Sequence, residues 1–256
     1  TLYGRTRFHS HSPSVTMASS PSNLDSLTAE HLDNLITRSL AEDVHTGDVT
    51  TESTIPIDSV STASFLAKED GILSGIEVAT VVFRRVDPSL KVDWTKKDGE
   101  PVTKGTYFGT THGSTRSLLV AERLVLNLMQ RMSGIATSTA LYVKTMNSSH
   151  TRLLDTRKTV PGLRMLDKMA VRHGGGVNHR IGLYDMVLIK DNHIEAAGGI
   201  PNAVKAACDY LRNRPANADG SRVQIEVEAR TLDEVKDVIQ CGESIDRVLL
   251  DNMVKV

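Results

Sequence analysis

Two adjacent cations, Arg157 and Lys158, stand in the segment DTRKTVPG directly after an apolar pair, Leu153 and Leu154. A planar guanidinium binds a carboxylate or phosphate with two hydrogen bonds, and an ammonium adds a compact positive charge. Lys190 takes a similar place after the apolar run MVLI. Because these cations abut strand-like runs, they predict a site for an anionic ligand, with a structural ion-pair network as the alternative.

The stretch from Arg152 to His193 carries a local excess of positive charge. It holds eight Lys or Arg residues against four Asp residues, whereas the whole 256-residue chain has a net charge of −1. The balanced total gives no reason to expect a nucleic-acid partner, so any anion must be recognised by this local cluster. Three of the cations follow a helical pattern, and we expect them on an exposed helix face: Arg164, Lys168 and Arg172.

Carboxylates follow strand-like runs further along the chain. Glu226 and Glu228 lie two residues apart in IEVEAR, which places them on one face of a strand, and Asp251 ends VLLDN. Acids among cations can be structural partners. Magnesium typically binds one or two carboxylates together with substrate oxygens, so Glu228 and Asp251 also fit a phosphate-rich substrate that arrives with Mg²⁺.

Three consecutive glycines, at positions 174–176, precede His179 and Arg180 in RHGGGVNHRIG. Their spacing matches neither a dinucleotide-binding loop nor a Walker loop. They predict a flexible loop, with a close approach of backbone amides to a ligand as the alternative.

The second half of the chain alternates between strand-like and helix-like stretches. The strand-like runs are RLLDTRK, MVLIKDNH, QIEVEAR and RVLLDN, and the helix-like stretches between them are LRMLDKMAVRHG, IPNAVKAACDYLRNR and TLDEVKDVIQCG. This order predicts parallel strands joined by helices, in a (β/α) barrel or a doubly wound sheet. The carboxyl ends of such strands share one edge. We therefore expect six residues to converge there: Arg157, Lys158, Lys190, Asp191, Glu228 and Asp251.

The first half has a different pattern. Residues 1–23 are rich in Ser, Thr and His without an acid, and we expect a disordered tail. The pattern predicts a small α+β domain over residues 24–122 and a second domain over residues 123–256. Within the first domain, we expect GDVTTESTIP to be a loop. A long apolar helix pattern ends the first half, with a break expected near Ser133 and Gly134. No apolar run approaches the roughly 18 residues of a membrane span, so no membrane partner is expected.

Several of these segments resemble the quinolinate phosphoribosyltransferases, also called carboxylating nicotinate-nucleotide pyrophosphorylases. The similarity lies in AERLVLNLMQRMSGIAT, the block from DTRKTVPG to LIKDNHI, IEVEA and VLLDN, and EDVHTGDVTT, AKEDGILSG and DGEPVTKG match the N-terminal domain. The resemblance covers about residues 27–256. It implies an α/β protein whose N-terminal α/β sandwich domain is followed by an incomplete (β/α) barrel. Family chains continue beyond the LLDN strand, so we expect a sequence truncated at its C-terminus.

The resemblance also implies a reaction of NAD biosynthesis. Quinolinate and 5-phosphoribosyl-1-pyrophosphate would give nicotinate mononucleotide, pyrophosphate and CO₂, with Mg²⁺, in a homodimer with shared sites or in a hexamer. Arg123 would reach the partner subunit's site, and Glu228 and Asp251 would lie near the ribose and the metal–pyrophosphate. The quinolinate pocket would be lined by Arg157, Lys158, His179, Arg180 and Lys190. Catalytic roles would fall to Lys158, Lys190, Glu228 and Asp251.

Two other functions stay open at this point. A phosphoribosyltransferase for a monocarboxylate such as nicotinate would need fewer cations than Arg123, Arg157 and Arg180 supply. A non-catalytic binding protein on the same fold would have lost acids or lysines, and none is lost up to Asp251. We expect a cytoplasmic location, with organelle targeting by the N-terminal segment as the minor alternative.

Overall fold

The structure is a computed structural model that describes residues 7–9, 26–148, 150–216 and 220–253. It divides into two compact units, Thr1–His179 (unit 1) and Arg180–Val256 (unit 2). The expected disordered tail, residues 1–23, lies outside the described residues except for the short strand β1 (Arg7–His9).

Unit 1 combines helices with antiparallel strands. Its helices are α1 (Ser26–Asp43), α2 (Val49–Thr54), α3 (Ile76–Val86), α4 (Thr115–Met146) and α5 (Arg164–His173). Its further strands are β2 (Val60–Leu66), β3 (Gly71–Ile72), β4 (Lys91–Trp94), β5 (Pro101–Val102) and β6 (Tyr107–Ser114). A four-stranded sheet has the order β1-β2-β6-β4, and β3 pairs with β5.

An aromatic cluster forms the centre of the unit 1 core. The Phe65 ring lies 4.8 Å from Trp94 and 5.7 Å from Phe108, which joins strands β2, β4 and β6. Phe83 of α3 meets Phe65 edge to face at 6.0 Å. Trp94 donates its indole N–H to Thr80 Oγ1 at 2.9 Å, so the half-buried ring keeps a polar partner. Helix α3 therefore packs against one face of the four-stranded sheet.

Helix α4 runs unbroken through Ser133 and Gly134, so the predicted break is wrong. The Ser133 hydroxyl is buried, but it accepts from the Ser74 N–H at 2.9 Å and donates to the Ser74 carbonyl at 3.0 Å. A buried serine with both partners satisfied does not disturb a helix. The predicted domain boundary between residues 122 and 123 falls within α4, whereas the compact units divide after His179, and that boundary stays a prediction.

The segment expected to be a loop before β2 contains helix α2. Asp48 caps this helix, because its Oδ1 accepts from the Thr51 N–H at 3.0 Å. The Thr51 hydroxyl also donates to Asp48 Oδ2 at 2.5 Å. These hydrogen bonds lower the pKa of the Asp48 carboxyl, the Thr51 hydroxyl having the largest effect. The Asp-x-x-Thr spacing was the available signal for this short helix.

Unit 2 confirms the predicted alternation of strands and helices. Strands β7 (Met186–Ile189), β8 (Gln224–Ala229) and β9 (Arg247–Leu250) form a parallel sheet in that order. The helices are α6 (Asp191–Ala197), α7 (Ile200–Leu211) and α8 (Leu232–Gln240). The predicted strand RLLD is reduced to one parallel bridge in unit 1, Leu154 to Val177. The chain thus has a two-domain α/β fold, and closure of the sheet into a barrel stays a prediction.

One face of the unit 2 sheet packs against helices. Its core consists of apolar residues from β7, β8, α7 and α8: Ile189, Ile200, Ala203, Val204, Ile225, Val227 and Val238. Across the described part of the chain, no helix is both long enough and apolar enough to cross a bilayer.

Candidate functional site

The opposite face of the unit 2 sheet is charged. In the parallel register, Leu188 of β7 pairs with Glu226 of β8, and Glu226 pairs with Arg247 of β9. Alternate residues of a strand share a face, so Glu228 lies on this side with Glu226. Both glutamates are buried. We call this surface, formed by Lys190, Glu226, Glu228, Arg247 and Asp251, the charged face.

The structure brings Lys190 and Glu228 together at the carboxyl ends of β7 and β8. Lys190 Nζ lies 3.7 Å from Glu228 Oε2, and the lysine side chain is 45% exposed against 8% for the glutamate. Asp251 directly follows β9, and its N–H donates to the Ala229 carbonyl at 3.0 Å, which extends the strand pairing. The predicted juxtaposition is therefore present for the side chains of Lys190 and Glu228, and backbone pairing places Asp251 at the end of the next strand.

Sequence reasoning missed Arg247 as part of this surface. Its Nη1 lies 4.0 Å from Glu226 Oε2, and the arginine is 42% exposed. Arg247 stands four residues before Asp251, so the period-two alternation of the strand was the signal that could have placed it on the same face.

Asp191, which was expected at the site, is the first residue of α6 and is exposed. Its carboxylate lies 3.9 Å from Arg230 Nη1. Arg230 also donates to Glu234, through its backbone N–H at 2.6 Å and its Nη2 at 3.0 Å. These contacts lower the pKa of Glu234, the backbone hydrogen bond having the largest effect. Asp191 thus belongs to an exposed ion-pair group beside the charged face.

Arg180 is buried at the other end of β7. Its Nη1 donates to the Met186 carbonyl at 3.2 Å, so the guanidinium is held where the strand begins, whereas Lys190 follows the end of the strand. The expected convergence of Arg157 and Lys158 with the unit 2 residues stays a prediction.

Within unit 1, backbone pairing sets the DTRK segment beside the residues that lead to His179. The Val177 N–H donates to the Leu153 carbonyl at 2.8 Å, and the Asp155 N–H donates to the Val177 carbonyl at 3.2 Å. The His179 N–H donates to Asp155 Oδ1 at 2.8 Å. Two of the segments predicted to bind an anion are therefore fixed side by side.

Arg157 has a buried guanidinium nitrogen without a partner among the residues that the structure describes. No group of the described residues accepts a hydrogen bond from its Nε. A buried charged donor without an acceptor is costly, because it loses hydration without compensation. Lys158, the next residue, is exposed, and its backbone N–H donates to Thr156 Oγ1 at 3.0 Å. The unsatisfied Nε is suited to an anionic ligand.

The prediction that Lys168 lies on an exposed helix face is wrong. Its side chain is 3% exposed, and its Nζ lies 2.5 Å from Asp155 Oδ1. Arg172, by contrast, is exposed as expected, and Arg164 is half-buried. The helical pattern placed Lys168 on α5 correctly but could not show that its acidic partner lies outside the helix.

The three glycines form a tight turn between α5 and Val177, not the expected flexible loop. A Cβ atom at Gly174 would lie 2.4 Å from the Ala136 carbonyl oxygen of α4, and Gly175 has φ +86°. Gly174 therefore requires glycine because the turn packs against α4, and Gly175 requires it because its backbone is left-handed.

Arg123 lies on α4 and is exposed. None of the described residues forms an ion pair or a hydrogen bond with its side chain, in contrast to Arg131 two turns later. Arg131 donates to both oxygens of Asp167 at 2.8 Å, which joins α4 to α5 and raises the pKa of the guanidinium.

The described residues provide neither a cluster of metal ligands nor a disulfide. Among the residues that the structure describes, no group of three or more His, Cys, Asp or Glu side chains could hold a metal ion. Cys208 and Cys241 are free thiols. Burial raises the pKa of Cys241, with a smaller effect of Asp237.

Comparison with known proteins gives a consistent assignment. The C-terminal domain of quinolinate phosphoribosyl transferase matches residues 135–255, and its N-terminal domain matches residues 48–133. A chloroplastic nicotinate-nucleotide pyrophosphorylase (carboxylating) of Arabidopsis thaliana is 53% identical over 225 residues, which cover 86% of this chain and 63% of the relative. The chain thus spans less than two thirds of that relative's length.

A bacterial relative and a solved structure agree with this result. The probable nicotinate-nucleotide pyrophosphorylase (carboxylating) of Bacillus subtilis is 42% identical, with 86% of this chain and 73% of the relative covered. The crystal structure of NadC from Streptococcus pyogenes has a TM-score of 0.82 at 36% identity, covering 91% of this chain and 78% of that chain. With both domains matched in order, the chain belongs to the quinolinate phosphoribosyltransferase family.

Proposed function

We propose that the protein transfers the phosphoribosyl group of 5-phosphoribosyl-1-pyrophosphate to quinolinate and decarboxylates the product. Nicotinate mononucleotide, pyrophosphate and CO₂ are formed. The observation that carries this proposal is the buried Nε of Arg157, for which the described residues offer no acceptor, in a segment that matches the family. A carboxylate of quinolinate would supply the missing acceptor.

Quinolinate is a dianion, and several cationic or donor groups are needed to bind and orient it. We assign this task to five residues of the chain: Arg157, Lys158, His179, Arg180 and Lys190. Arg157 is suited to a bidentate contact, and the buried environment of its Nε strengthens a hydrogen bond to a charged oxygen. The exposed ammonium of Lys158 adds a point charge.

Glu228 and Asp251 are assigned to the phosphoribosyl donor. Breaking the bond between ribose C1 and pyrophosphate gives the ribose oxocarbenium character, and a carboxylate fixed beforehand stabilises the positive charge as it develops. Glu228 is suited to this role because it is buried and its cation partner, Lys190, stands 3.7 Å away rather than in a tight hydrogen bond.

The same carboxylates fit Mg²⁺ held mainly by the substrate. They are hard oxygen ligands, and the described residues offer no complete protein cage of three or more ligands. When bound, Mg²⁺ would offset negative charge on the leaving pyrophosphate. Glu228 and Asp251 would hold it indirectly, through substrate oxygens.

Decarboxylation follows the transfer in this proposal. Once its nitrogen is ribosylated, the pyridine ring is cationic and stabilises the electron pair left at the adjacent carbon when CO₂ departs. That carbon then takes up a proton. Lys158 and Lys190 are the two candidates for assisting this step, and both are at least partly exposed.

We further propose that the protein works as a homodimer with shared sites and that the unit 2 sheet is part of a (β/α) barrel. The exposed side chain of Arg123, with no ion pair among the described residues, supports the first proposal. The parallel β7-β8-β9 order with intervening helices supports the second. A hexamer is the alternative assembly, and the molar mass in solution distinguishes the two.

Turnover assays test the reaction directly. The chain is incubated with quinolinate and 5-phosphoribosyl-1-pyrophosphate, and nicotinate mononucleotide and CO₂ are followed in parallel. We expect equal amounts of both products, loss of turnover with a chelator, and recovery with Mg²⁺. Substitution of nicotinate for quinolinate is the control, and equal or faster turnover of nicotinate would refute the assignment of the substrate. Quinolinate binding without any turnover would favour the non-catalytic alternative.

The cellular location is a separate proposal. Relatives from Arabidopsis thaliana and Nicotiana tabacum are named chloroplastic and mitochondrial, which supports organelle targeting against the cytoplasmic location expected from the sequence. A fluorescent fusion of the encoded protein, imaged with plastid and mitochondrial markers, separates these locations.

A further inference from the structure

One buried carboxylate in unit 1 connects the two segments assigned to quinolinate. Asp155 Oδ1 accepts from Lys168 Nζ at 2.5 Å and from the His179 N–H at 2.8 Å. Its Oδ2 accepts from Asn178 Nδ2 at 2.6 Å. A single side chain thus receives hydrogen bonds from three residues, two of which belong to the VNHR segment.

Lys168 and Asn178 close this network. Lys168 Nζ also donates to the His179 carbonyl at 3.1 Å, and Asn178 Nδ2 also donates to the Lys168 carbonyl at 2.8 Å. His179 is therefore held by its N–H through Asp155 and by its carbonyl through Lys168. We call Asp155, Lys168 and Asn178 the buried clamp.

Stability alone is a poor explanation for the clamp. Removing two charges from water is costly, and apolar residues of similar volume are often as good or better for stability than a buried ion pair. Hydrogen bonds with fixed geometry, however, specify position. Arg157 follows Asp155 by two residues, so the clamp sets the distance between the Arg157 segment and His179.

We propose that Asp155 and Lys168 are positioning residues of the quinolinate site, which hold the Arg157 segment and His179 in register without contacting the substrate. The inference rests on the proposed function, because it assumes that Arg157 and His179 bind quinolinate. A displacement of about 1 Å at a substrate-positioning group can cost on the order of a hundredfold.

The decisive variant is the charge-neutral pair Asp155→Asn with Lys168→Met. Calorimetry gives the Kd of quinolinate and, separately, the Kd of 5-phosphoribosyl-1-pyrophosphate. We expect quinolinate to bind at least about tenfold more weakly, with 5-phosphoribosyl-1-pyrophosphate within about twofold of the unmodified chain. A purely structural role would lower the melting temperature or the fraction of protein that binds, but it would leave the quinolinate Kd of the folded molecules unchanged.

Asp233→Asn with Lys236→Met is the matched control, because the same change is made in an exposed ion pair with a 2.7 Å contact. We expect no change in either Kd. If the buried double variant does not fold, Asn178→Ala tests the positioning role instead. This variant removes the hydrogen bonds to Asp155 and to the Lys168 carbonyl and keeps the charges of Asp155 and Lys168. It should weaken quinolinate binding about threefold or more.

The outcomes separate this inference from the proposed function. No quinolinate binding by the unmodified chain would refute the proposed function itself. Binding by the unmodified chain, with quinolinate Kd unchanged in the folded variants or with both ligands weakened equally, would overturn the positioning role.

Discussion

Lys190 Nζ and Glu228 Oε2 lie 3.7 Å apart, and of the two side chains only the carboxylate is buried. The contact is too long for a strong charge-assisted hydrogen bond. The glutamate can therefore stabilise a second positive charge, such as the charge that develops on the ribose of a bound substrate.

Glu228→Gln should lower kcat by roughly 10²–10³ and leave the quinolinate Kd nearly unchanged, because the lost charge acts on the developing oxocarbenium character. Steady-state kinetics together with calorimetry separate the two effects. Glu234→Gln is the matched control, since that carboxylate pairs with Arg230 at 3.0 Å outside the charged face. A kcat within about threefold of the unmodified protein would argue against the role of Glu228.

Arg157→Ala should weaken quinolinate binding by about 2–5 kcal/mol, because a buried dianion loses a bidentate partner. Arg157→Lys should recover only part of the affinity, since an ammonium lacks the Nε donor. The control is Arg172→Ala, which removes an exposed cation of α5. A quinolinate Kd that differs by less than about threefold between Arg157→Ala and this control would refute the assignment of Arg157.

Arg123→Ala mixed with Lys190→Ala should recover activity that neither variant has alone. If Arg123 serves the partner's site, each heterodimer contains one site with both residues intact. Turnover is measured after subunit exchange, which is verified with differently labelled chains. Proven exchange without recovery would mean that Arg123 acts within its own chain or has only a structural role.

Asp98→Ala should destabilise unit 1 by about 2 kcal/mol and leave the quinolinate Kd of the folded protein unchanged. Asp98 accepts from the N–H groups of Gly75, Ile76 and Glu77 at 2.6, 3.0 and 3.2 Å, and it thereby caps α3, whose N-cap is a glycine. Urea unfolding gives the difference in the free energy of unfolding, with Asp93→Ala, a change at an exposed residue of β4, as the control. A free energy of unfolding equal to that of the control would show that the cap contributes nothing.

The stability of unit 1 should fall in acid partly through Asp87. Hydrogen bonds from the Ser89 hydroxyl, and less strongly from the Ser117 hydroxyl, lower the pKa of this carboxyl. A lowered native pKa contributes stability above about pH 4, and that contribution is lost as the pH falls through the native pKa. The gap in unfolding free energy between the unmodified protein and Ser89→Ala should therefore narrow between about pH 6 and pH 3. A difference in unfolding free energy that stays constant or grows as the pH falls would contradict the role of Asp87.

The elements that sequence reasoning predicted well are those whose pattern is local. Strand β8 alternates Ile225, Val227 and Ala229 with Glu226 and Glu228, so its two faces are evident from the sequence alone. The juxtaposition of Lys190 with Glu228 then follows from parallel pairing, because both residues end neighbouring strands.

What the sequence did not reveal depends on contacts between distant residues. Lys168 belongs to a helix with an apolar face, and only the position of Asp155, brought beside α5 by the Leu154 to Val177 bridge, explains its burial. Ser133 is tolerated inside α4 because the backbone of Ser74 satisfies its hydroxyl. Neither partner can be inferred from spacing along the chain.

The opposite chemistry of the two sheet faces in unit 2 also guards against misfolding. A slip of β8 by one residue relative to β7 would turn Glu226 and Glu228 toward the apolar helices and bring Val227 to the charged face. The two carboxylates would then stay buried but lose their cation partners, Lys190 and Arg247, which leaves two uncompensated buried charges. Glu226 and Glu228, of which only Glu228 is also proposed for catalysis, therefore help to fix the register of β8, so replacing them with apolar residues should broaden the set of registers the strand can adopt.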